Sequence, residues 1–232
     1  MSRKTEIAAG LATVDARIRR ACQAAGRSRS DVTVIVVTKT FPPGDIRALA
    51  ELGIRDIGEN RDQEAAAKAA ACADLGLTWH FVGQLQTNKA RSVTRYASAV
   101  HSVDRPKLVG ALSHGAAMNG REIGCLVQVS VRGEPMEGRG GAASADVLKL
   151  ADAIADAEAL RLLGVMTVAP LDADPLAAFD QLARIAGTVQ ALHPRANWIS
   201  AGMSQDLEPA IAAGATHLRV GSAILGRRPT AG

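Results

Sequence analysis

Residues 32–38 read VTVIVVT, and this stretch decides how the rest of the chain is interpreted. The run is rich in β-branched residues and almost continuously apolar, which is typical of a strand buried on both faces of a parallel sheet. Lys39 follows directly, and a helix-like segment covers residues 43–52. A buried strand, a short polar turn and a helix form the repeating unit of α/β proteins.

The same unit recurs along the chain, with apolar strand-like segments separated by helical stretches. The further strand-like segments are 54–57, 79–82, 99–103, 124–130, 160–168, 197–200 and 217–220. The helical stretches lie around 60–73, 87–96, 105–118, 144–157, 174–191 and 206–213. Eight strands alternating with helices predict an α/β fold, a single (β/α)8 TIM barrel that occupies residues 1–232 as one domain.

An extra amphipathic helix precedes the first strand and is expected to end near Gly26. Its apolar face consists of residues at helical spacing, namely Ile7, Leu11, Val14, Ile18 and Cys22. This helix would supply an outer-ring member, because little of the sequence follows the eighth strand. An open doubly wound sheet is the alternative, but the GxGxxG fingerprint is absent from every strand-to-helix turn, which favours the barrel.

Composition excludes several classes of protein. The 232 residues are 47% hydrophobic and 22% charged, and 27 basic against 23 acidic residues leave a net charge of +4, which is typical of a soluble globular protein. Only 3% of residues are aromatic and they are scattered, so a nucleic-acid partner is not expected. The longest apolar run, 34–37, is too short for a membrane span or a secretory signal.

The three cysteines are far apart and lack metal-ligand spacing, so reduced structural thiols, no metal site and a cytoplasmic location are expected. The alanine- and arginine-rich surface is compatible with a monomer or a weak dimer. Residues 132–143 read RGEPMEGRGGAA and are expected to form a mobile loop rather than a phosphate-binding loop, with its contacts left open.

In a barrel, functional groups gather at the carboxyl ends of the strands. Lys39 is the one lysine among six that directly follows a buried-type strand; the others, including Lys68, fall on helical patterns or open a helix. Partial burial lowers the pKa of an ammonium and frees the amine to form a Schiff base with an aldehyde. From spacing alone, a lysine that merely reaches solvent from a strand end is the alternative interpretation.

Polar and small residues follow the seventh and eighth strands, as a phosphate group requires. They are Ser200, Gly202, Met203 and Ser204 in the first turn, and Arg219, Gly221 and Ser222 in the second. Glycines that only end strands are the alternative. Asn60 ends the second strand and His80 lies in the third. A reactive lysine together with a phosphate site suits pyridoxal 5'-phosphate, and a phosphosugar in a Schiff-base aldolase is the competing ligand.

Several segments, in their order along the chain, resemble the pyridoxal phosphate homeostasis proteins, a family similar to the barrel half of alanine racemase. The segments are VIVVTKTFPPGDI (34–46), GIRDIGENRDQE (53–64), WHFVGQLQTNKAR (79–91), LLGVMTVAP (162–170) and SAGMSQDLEPAIAAGATHLRVGSAILGRR (200–228). The segments are spread from residue 34 to residue 228 and the likeness extends over nearly the whole chain, so the resemblance implies an alanine racemase N-terminal-domain-like barrel.

The resemblance also implies roles for individual residues. Lys39 stands where the family forms its Schiff base with the cofactor, and Arg219 stands where the family faces the pyridine nitrogen. The implied phosphate-binding positions are Ser204, Gly221 and Ser222, with Ser200, Gly202 and Met203 in the same turn, while Asn60 and His80 line the site. Arg61, Gln84 and Ser222 replace a frequent Tyr, Pro and Thr, and the first two differences concern only the solvent-facing rim.

The expected function is that of an intracellular carrier or buffer of pyridoxal 5'-phosphate, with apoenzymes that depend on the cofactor as recipients. Arg219 can only donate hydrogen bonds, so it opposes protonation of the ring nitrogen. Racemisation needs a second acid–base group, but Tyr96 is expected to pack outside the barrel, His80 to lie in the core, and no added domain to supply another. A weak racemase or lyase is the alternative, and a partner-binding scaffold without cofactor is a third possibility.

Overall fold

The computed structural model describes residues 2–131, 140–170 and 174–226. Its eight strands are parallel and pair in chain order, and the first also pairs with the eighth, so the sheet closes into a barrel. The strands are β1 (Thr33–Val37), β2 (Asp56–Glu59), β3 (Thr78–Phe81), β4 (Ala99–Val103), β5 (Ile123–Gln128), β6 (Leu160–Met166), β7 (Trp198–Ser200) and β8 (His217–Val220). Closure confirms the predicted (β/α)8 fold and excludes the open sheet.

Helices surround the barrel in the described ranges. They are α1 (Arg3–Ala24), α2 (Pro43–Glu51), α3 (Asp62–Ala71), α4 (Ala90–Val93), α5 (Pro106–Met118), α6 (Val147–Ala155), α7 (Pro175–Leu192), α8 (Leu207–Ala212) and α9 (Ser222–Leu225). Short 3-10 helices occur at Arg29–Asp31, Ala73–Leu75, Thr87–Lys89 and Ser144–Asp146. None of these helices is long and apolar enough to cross a lipid bilayer.

Some predicted boundaries differ from those observed. Strand β2 begins two residues later than predicted, because the Ile54 N–H donates to Leu49 O (3.0 Å) and so belongs to the end of α2. The helix predicted over 87–96 is divided into a 3-10 turn and the short α4. Of the predicted loop at 132–143, residues 132–139 lie outside the described residues. In the remainder, the Ala142 N–H donates to Gln128 O at 2.7 Å.

Two apolar clusters hold the barrel together. The larger one lies between the strands and the helices, and it includes the predicted α1 residues Ile7, Val14, Ile18 and Cys22. The smaller one contains strand residues only, Ala99, Leu126, Leu163 and Met166, and Trp198 packs against it. Because successive side chains of a strand point to opposite faces, the smaller cluster fills part of the barrel interior.

Candidate functional site

Three predicted site segments meet at one end of the barrel, where β1 pairs with β2 on one side and with β8 on the other. The Thr38 N–H donates to Gly58 O at 2.9 Å, immediately before Lys39. On the other side, Gly221 lies so close to β1 that a β-carbon there would be 3.1 Å from Val37 O. The half-buried Lys39 therefore extends from a turn between the segments that carry Asn60 and Ser222.

The turn that carries Lys39 has an unusual backbone. Thr40 has a φ of 69°, in the left-handed region that β-branched residues rarely adopt. The Phe41 N–H donates to Thr38 O at 3.0 Å, and the Thr40 N–H donates to the Glu64 carboxylate. Such strain persists only where surrounding contacts hold the backbone, and it is common at functional sites. The backbone that presents Lys39 is thus held in one conformation.

A buried ionic cluster, formed by Thr38, Glu59, Glu64 and Lys68, anchors this turn. Lys68 Nζ donates to Thr38 O and to Glu59 Oε1, both at 2.7 Å, and also to Glu64 Oε1. The Thr38 hydroxyl donates to Glu59 Oε1 at 2.6 Å. The Lys68 side chain is only 6% exposed. This role of Lys68 was not predicted, because the only local signal is a glutamate four residues earlier on the same helix.

The two carboxyl groups of the cluster differ in their titration. Burial raises the pKa of Glu59, although hydrogen bonds from Lys68 and Thr38 oppose the shift. Burial acts in the same direction on Glu64, but hydrogen bonds from Lys68 and the Thr40 N–H outweigh it, and the pKa of Glu64 is lowered. Glu64 therefore keeps its negative charge opposite Lys68 to lower pH, whereas Glu59 takes up a proton more readily.

The turns after β7 and β8 meet at the other side of the barrel mouth. The Ser222 hydroxyl donates to Ser204 Oγ at 3.3 Å, and the Ala223 N–H donates to the same oxygen at 3.3 Å. Gly202 has a φ of 87°, which favours glycine at this bend. The structure thus brings together the two serines that were predicted to bind phosphate, 18 residues apart in the chain.

Helix α1 supports the turn after β7 from outside the barrel. Arg17 Nη1 donates to Ser204 O at 2.8 Å, while Nε and Nη2 donate to the two carboxylate oxygens of Glu208 at 2.7 Å each. Within the turn, the Met203 N–H donates to Asp206 Oδ1 at 2.6 Å. Bidentate pairs of this kind restrain both position and orientation. The extra helix therefore contributes to the site as well as to the outer ring.

Arg219 is a buried cation that has no acidic partner within the described part of the chain. Its Nη1 donates to Ser200 Oγ at 2.6 Å and its Nη2 to Thr167 O at 2.7 Å. Burial lowers its pKa to about 10, with Asp206 opposing the shift, so the guanidinium remains charged at neutral pH. A guanidinium carries five N–H donors, and these contacts use two of them. Arg219 therefore retains donors for a ligand.

His80 and Ser200 lie in the barrel interior, where their polar atoms contact other interior residues. His80 Nε2 is 3.0 Å from Asp56 Oδ1, and its Nδ1 is 3.0 Å from His101 Nε2. Ser200 Oγ bonds both Arg219 and His101 Nδ1. His101 was not among the predicted site residues, and its only signal is a histidine within the otherwise mainly apolar strand β4. Direct contact of His80 and Ser200 with a cofactor stays a prediction.

Comparison with known proteins identifies the family of this chain. The family described as the N-terminal domain of alanine racemase matches residues 10–229. The pyridoxal phosphate homeostasis protein of Mycobacterium tuberculosis is 41% identical, and the match covers 97% of this chain and 94% of the relative. The chain belongs to the pyridoxal phosphate homeostasis protein family. The resemblance described in the sequence analysis is thereby confirmed.

Solved structures of similar proteins share this barrel. PipY of Synechococcus elongatus, solved with PLP bound, is 34% identical with a TM-score of 0.78, covering 90% of this chain and 99% of PipY. A protein from Bifidobacterium adolescentis, described only as unknown, is 32% identical with a TM-score of 0.87, and the match covers 96% of this chain and 95% of the other. Both matches extend over nearly the full barrel.

An open cleft of about 630 Å³ lies beside Asn60 in this member of the homeostasis family. Asn60 Oδ1 is buried and has no hydrogen-bond partner within residues 2–131, 140–170 and 174–226. Arg61 and Gln84, which differ from the common family residues, line the cleft and are exposed. These two differences therefore lie at exposed positions, in the same cleft that Glu64 of the ionic cluster also lines.

The lowered pKa values of two interior histidines, His101 and His217, predict that the folded protein is less stable in acid. Burial and the charge of His80 lower the pKa of His217 to about 4, with Asp56 opposing, and burial also lowers the pKa of His101. Both values lie below the ordinary pKa of about 6.5, so the unfolded chain binds more protons as the pH falls from 6.5 towards 4. For His217 alone, we expect a loss of about 3 kcal/mol of unfolding free energy across this range.

Urea unfolding at pH 7 and pH 4 measures this loss. His217→Phe removes the titrating ring while keeping an aromatic surface for Trp198, whose ring centroid lies 3.8 Å from that of His217. We expect the difference in unfolding free energy between the two pH values to shrink by about 3 kcal/mol in this variant. The control His114→Gln, at an exposed position, should match the wild type. Equal pH dependence in the wild type and His217→Phe would refute the assignment.

Proposed function

We propose that this protein binds pyridoxal 5'-phosphate through covalent attachment to Lys39 and serves as a carrier or buffer in intracellular cofactor homeostasis, without robust catalysis. The observation that carries the proposal is the close contact of Gly221 with Val37, which brings Lys39 and the pair Ser204 and Ser222 to one barrel mouth. The relative PipY, with PLP bound, supports the same ligand here.

The residues at the mouth fit the groups of this cofactor. When bound, the cofactor supplies an aldehyde, which condenses with a primary amine and releases water, and a conjugated ring that absorbs visible light. The hydroxyl groups of Ser204 and Ser222 offer hydrogen bonds to a phosphate. Arg219 retains N–H donors for the acceptor nitrogen of the ring. The buried Asn60 Oδ1 lacks a partner in the described chain and offers an acceptor to the ligand.

Arg219 favours storage of the cofactor over catalysis. A guanidinium has no acceptor and keeps its protons at neutral pH, so it disfavours a protonated ring nitrogen next to it. An unprotonated ring withdraws electrons less strongly than a protonated one. Reactions that need deep stabilisation of a carbanion are therefore disfavoured at this site.

The contacts of the two candidate acid–base groups also support binding rather than racemisation. Both ring nitrogens of His80 are already engaged, with Asp56 and with His101. The Tyr96 hydroxyl lies 3.4 Å from Asp62 Oδ1, and burial, together with the charge of Asp62, raises its pKa. A racemase needs a second group that exchanges protons near neutral pH on the ligand face opposite the lysine. His80 has no unengaged ring nitrogen for this role, and the raised pKa of Tyr96 keeps its hydroxyl protonated.

Replacing Lys39 with alanine is expected to abolish covalent capture and to leave weaker binding through the phosphate. Protein incubated with pyridoxal 5'-phosphate is reduced with borohydride, digested and mapped by mass spectrometry. The wild type should carry the added mass on the peptide that contains Lys39, and the variant should carry none there. The control Lys107→Ala, at an exposed helical position, should be labelled at Lys39 like the wild type.

Two results would contradict the proposed function. One is a wild-type protein that takes up no pyridoxal 5'-phosphate even at saturating concentration. The other is turnover of a D- or L-amino acid, at ordinary enzyme rates, by the wild-type protein with bound pyridoxal 5'-phosphate. That result would favour a racemase or lyase over a carrier.

The expected compartment is the cytoplasm. Apoenzymes that require the cofactor are the expected recipients, because a lysine-bound aldehyde is exchangeable with other amines. Cys22, Cys72 and Cys125 are buried free thiols, which is compatible with the reducing cytoplasm.

A further inference from the structure

A chain of hydrogen bonds crosses the barrel interior beneath Arg219. The consecutive distances are 2.6 Å from Arg219 Nη1 to Ser200 Oγ, 2.9 Å from Ser200 Oγ to His101 Nδ1, 3.0 Å from His101 Nε2 to His80 Nδ1, and 3.0 Å from His80 Nε2 to Asp56 Oδ1. We call this set of residues the interior chain. Its Asp56 end is 33% exposed, whereas the His80 side chain is 1% exposed and His101 and Ser200 are fully buried.

The two ends of the interior chain determine the direction of its hydrogen bonds. Arg219 can only donate, so Ser200 Oγ accepts from it and directs its own proton to His101 Nδ1. With Nδ1 as acceptor, His101 carries its proton on Nε2 and donates to His80 Nδ1. His80 then donates from Nε2 to the Asp56 carboxylate. In the opposite direction, with one proton on each ring, the His80 proton would be on Nδ1. The unprotonated Nε2 would then face the Asp56 carboxylate, and both of these groups are acceptors.

The surroundings of His101 keep it in the state that this direction requires. Burial lowers the pKa of His101 well below its ordinary value, and Arg219 acts in the same direction, as do His80 and His217 in their protonated forms. The rings of His80 and Trp198 pack beside it, with centroids 5.2 and 6.4 Å away. His101 is therefore uncharged at neutral pH, and its Nδ1 is available as an acceptor for the Ser200 proton.

Arg219 depends on this arrangement because Ser200 is one of the two acceptors that hold its guanidinium. A serine hydroxyl presents a lone pair to Arg219 only while its proton points elsewhere, and His101 Nδ1 is the acceptor that draws the proton away. Without that acceptor, the hydroxyl is free to rotate, so its bond to Arg219 is no longer fixed in direction, and the bond to Thr167 O is the one fixed contact left to the guanidinium. A long side chain held by one bond samples more than one position.

We propose that His101 is a positioning residue for the cofactor: through Ser200 it holds the Arg219 guanidinium against the ring nitrogen of bound pyridoxal 5'-phosphate. This inference rests on the proposed function and adds to it a buried residue that touches no ligand. The interior chain thereby keeps the ring nitrogen unprotonated, because it keeps the guanidinium in place.

Three substitutions of His101 separate positioning from simple packing. In His101→Asn, the side-chain oxygen occupies the place of Nδ1, so the variant keeps an acceptor for Ser200. In His101→Gln, the amide reaches the place of Nε2, so the variant keeps a group that faces His80 but loses the acceptor for Ser200. His101→Leu removes both. Each variant is loaded with pyridoxal 5'-phosphate, and the visible absorbance of the bound cofactor is recorded as a function of pH across the range in which the protein is folded.

We expect the glutamine and leucine variants to show a new pH-dependent step in the absorbance, caused by protonation of the released ring nitrogen. Their affinity for pyridoxal 5'-phosphate should fall about tenfold, the size of one hydrogen bond to a charged group. His101→Asn should keep the wild-type spectrum and affinity. Ser200→Ala provides a second route if His101→Leu does not fold, and it should show the same step.

The inference would be overturned if His101→Gln and Ser200→Ala had the wild-type absorbance spectrum at every pH. It would also be overturned if His101→Asn and His101→Gln changed the spectrum and the affinity for pyridoxal 5'-phosphate equally. These outcomes leave the proposed function intact, because the variants still take up the cofactor. Failure of the wild type to take up pyridoxal 5'-phosphate is a separate result, which overturns the proposed function itself.

Discussion

Replacing Lys68 with methionine is expected to lower the free energy of unfolding by about 3–5 kcal/mol, the cost of removing one partner from a buried ion pair. Methionine has a similar length but offers no donor to Glu59, Glu64 or Thr38 O. Burial already raises the pKa of Glu59, so this carboxyl should take up a proton in the variant and absorb part of the cost. Urea unfolding at neutral pH measures the loss.

The substitution should also affect the reactive lysine. Lys68 holds the carbonyl group of Thr38 and the carboxylate that binds the Thr40 N–H, so its removal loosens the turn around Lys39. We therefore expect slower borohydride-trapped labelling of Lys39 in Lys68→Met.

Lys149→Met is the matched control for this prediction. The Lys149 side chain is 83% exposed and its Nζ lies 3.8 Å from the Asp146 carboxylate, so the expected change is within about 0.5 kcal/mol. A loss below about 1 kcal/mol in Lys68→Met, or labelling of Lys39 at the wild-type rate, would show that the ionic cluster does not support the turn.

Gly83→Ala is expected to cost about 1–3 kcal/mol of stability and to weaken uptake of pyridoxal 5'-phosphate. A β-carbon at Gly83 would lie 2.3 Å from Asn60 O and 2.7 Å from Asn60 Cα. These are backbone atoms, so the new methyl group cannot be accommodated by rotation of a flexible side chain. The segment after β2 must shift, and Asn60 Oδ1 moves with it. Thermal or urea unfolding and a titration with the cofactor measure the two effects.

Gly44→Ala provides the matched control, because a β-carbon at this position in α2 would meet no atom within 4 Å. Alanine favours a helix over glycine, so this variant should be as stable as the wild type or slightly more stable. Should Gly83→Ala unfold and bind cofactor like Gly44→Ala, the close contact between the GEN and HFVG segments would have no energetic importance.

The barrel itself could be predicted because each of its units is encoded locally. VTVIVVT and the seven other strand segments are short apolar runs, and in the helices between them apolar residues recur every three or four positions. Strand ends of a parallel barrel share one face, so Lys39, Ser204, Arg219 and Ser222 could be placed at one mouth without knowledge of any contact. The boundaries of β2 and α4 were predicted less well, since hydrogen bonds such as that from Ile54 to Leu49 decide where an element ends.

Lys68 and His101 escaped the sequence analysis for a common reason. In DQEAAAKAAA, Lys68 has the pattern of an exposed helical charge, yet it is buried because it faces a turn 30 residues earlier in the chain. His101 lies in AVHSV, where neighbouring residues give no sign of a polar partner. Its partner Ser200 is 99 residues away. Local sequence patterns report the type of element and contain no information on contacts of this range.

The sequence by itself determined the alternation of strands and helices, the polar groups at the strand ends and the family resemblance, because each of these depends on residues close together in the chain. The contacts that arise when β8 closes onto β1 belong to the tertiary structure alone. That closure brings Gly221 against Val37, and the register of the closed barrel aligns the interior chain from Asp56 to Arg219. Such contacts depend on how all eight strands tilt and pair together, and this is a property of the assembled barrel rather than of any segment.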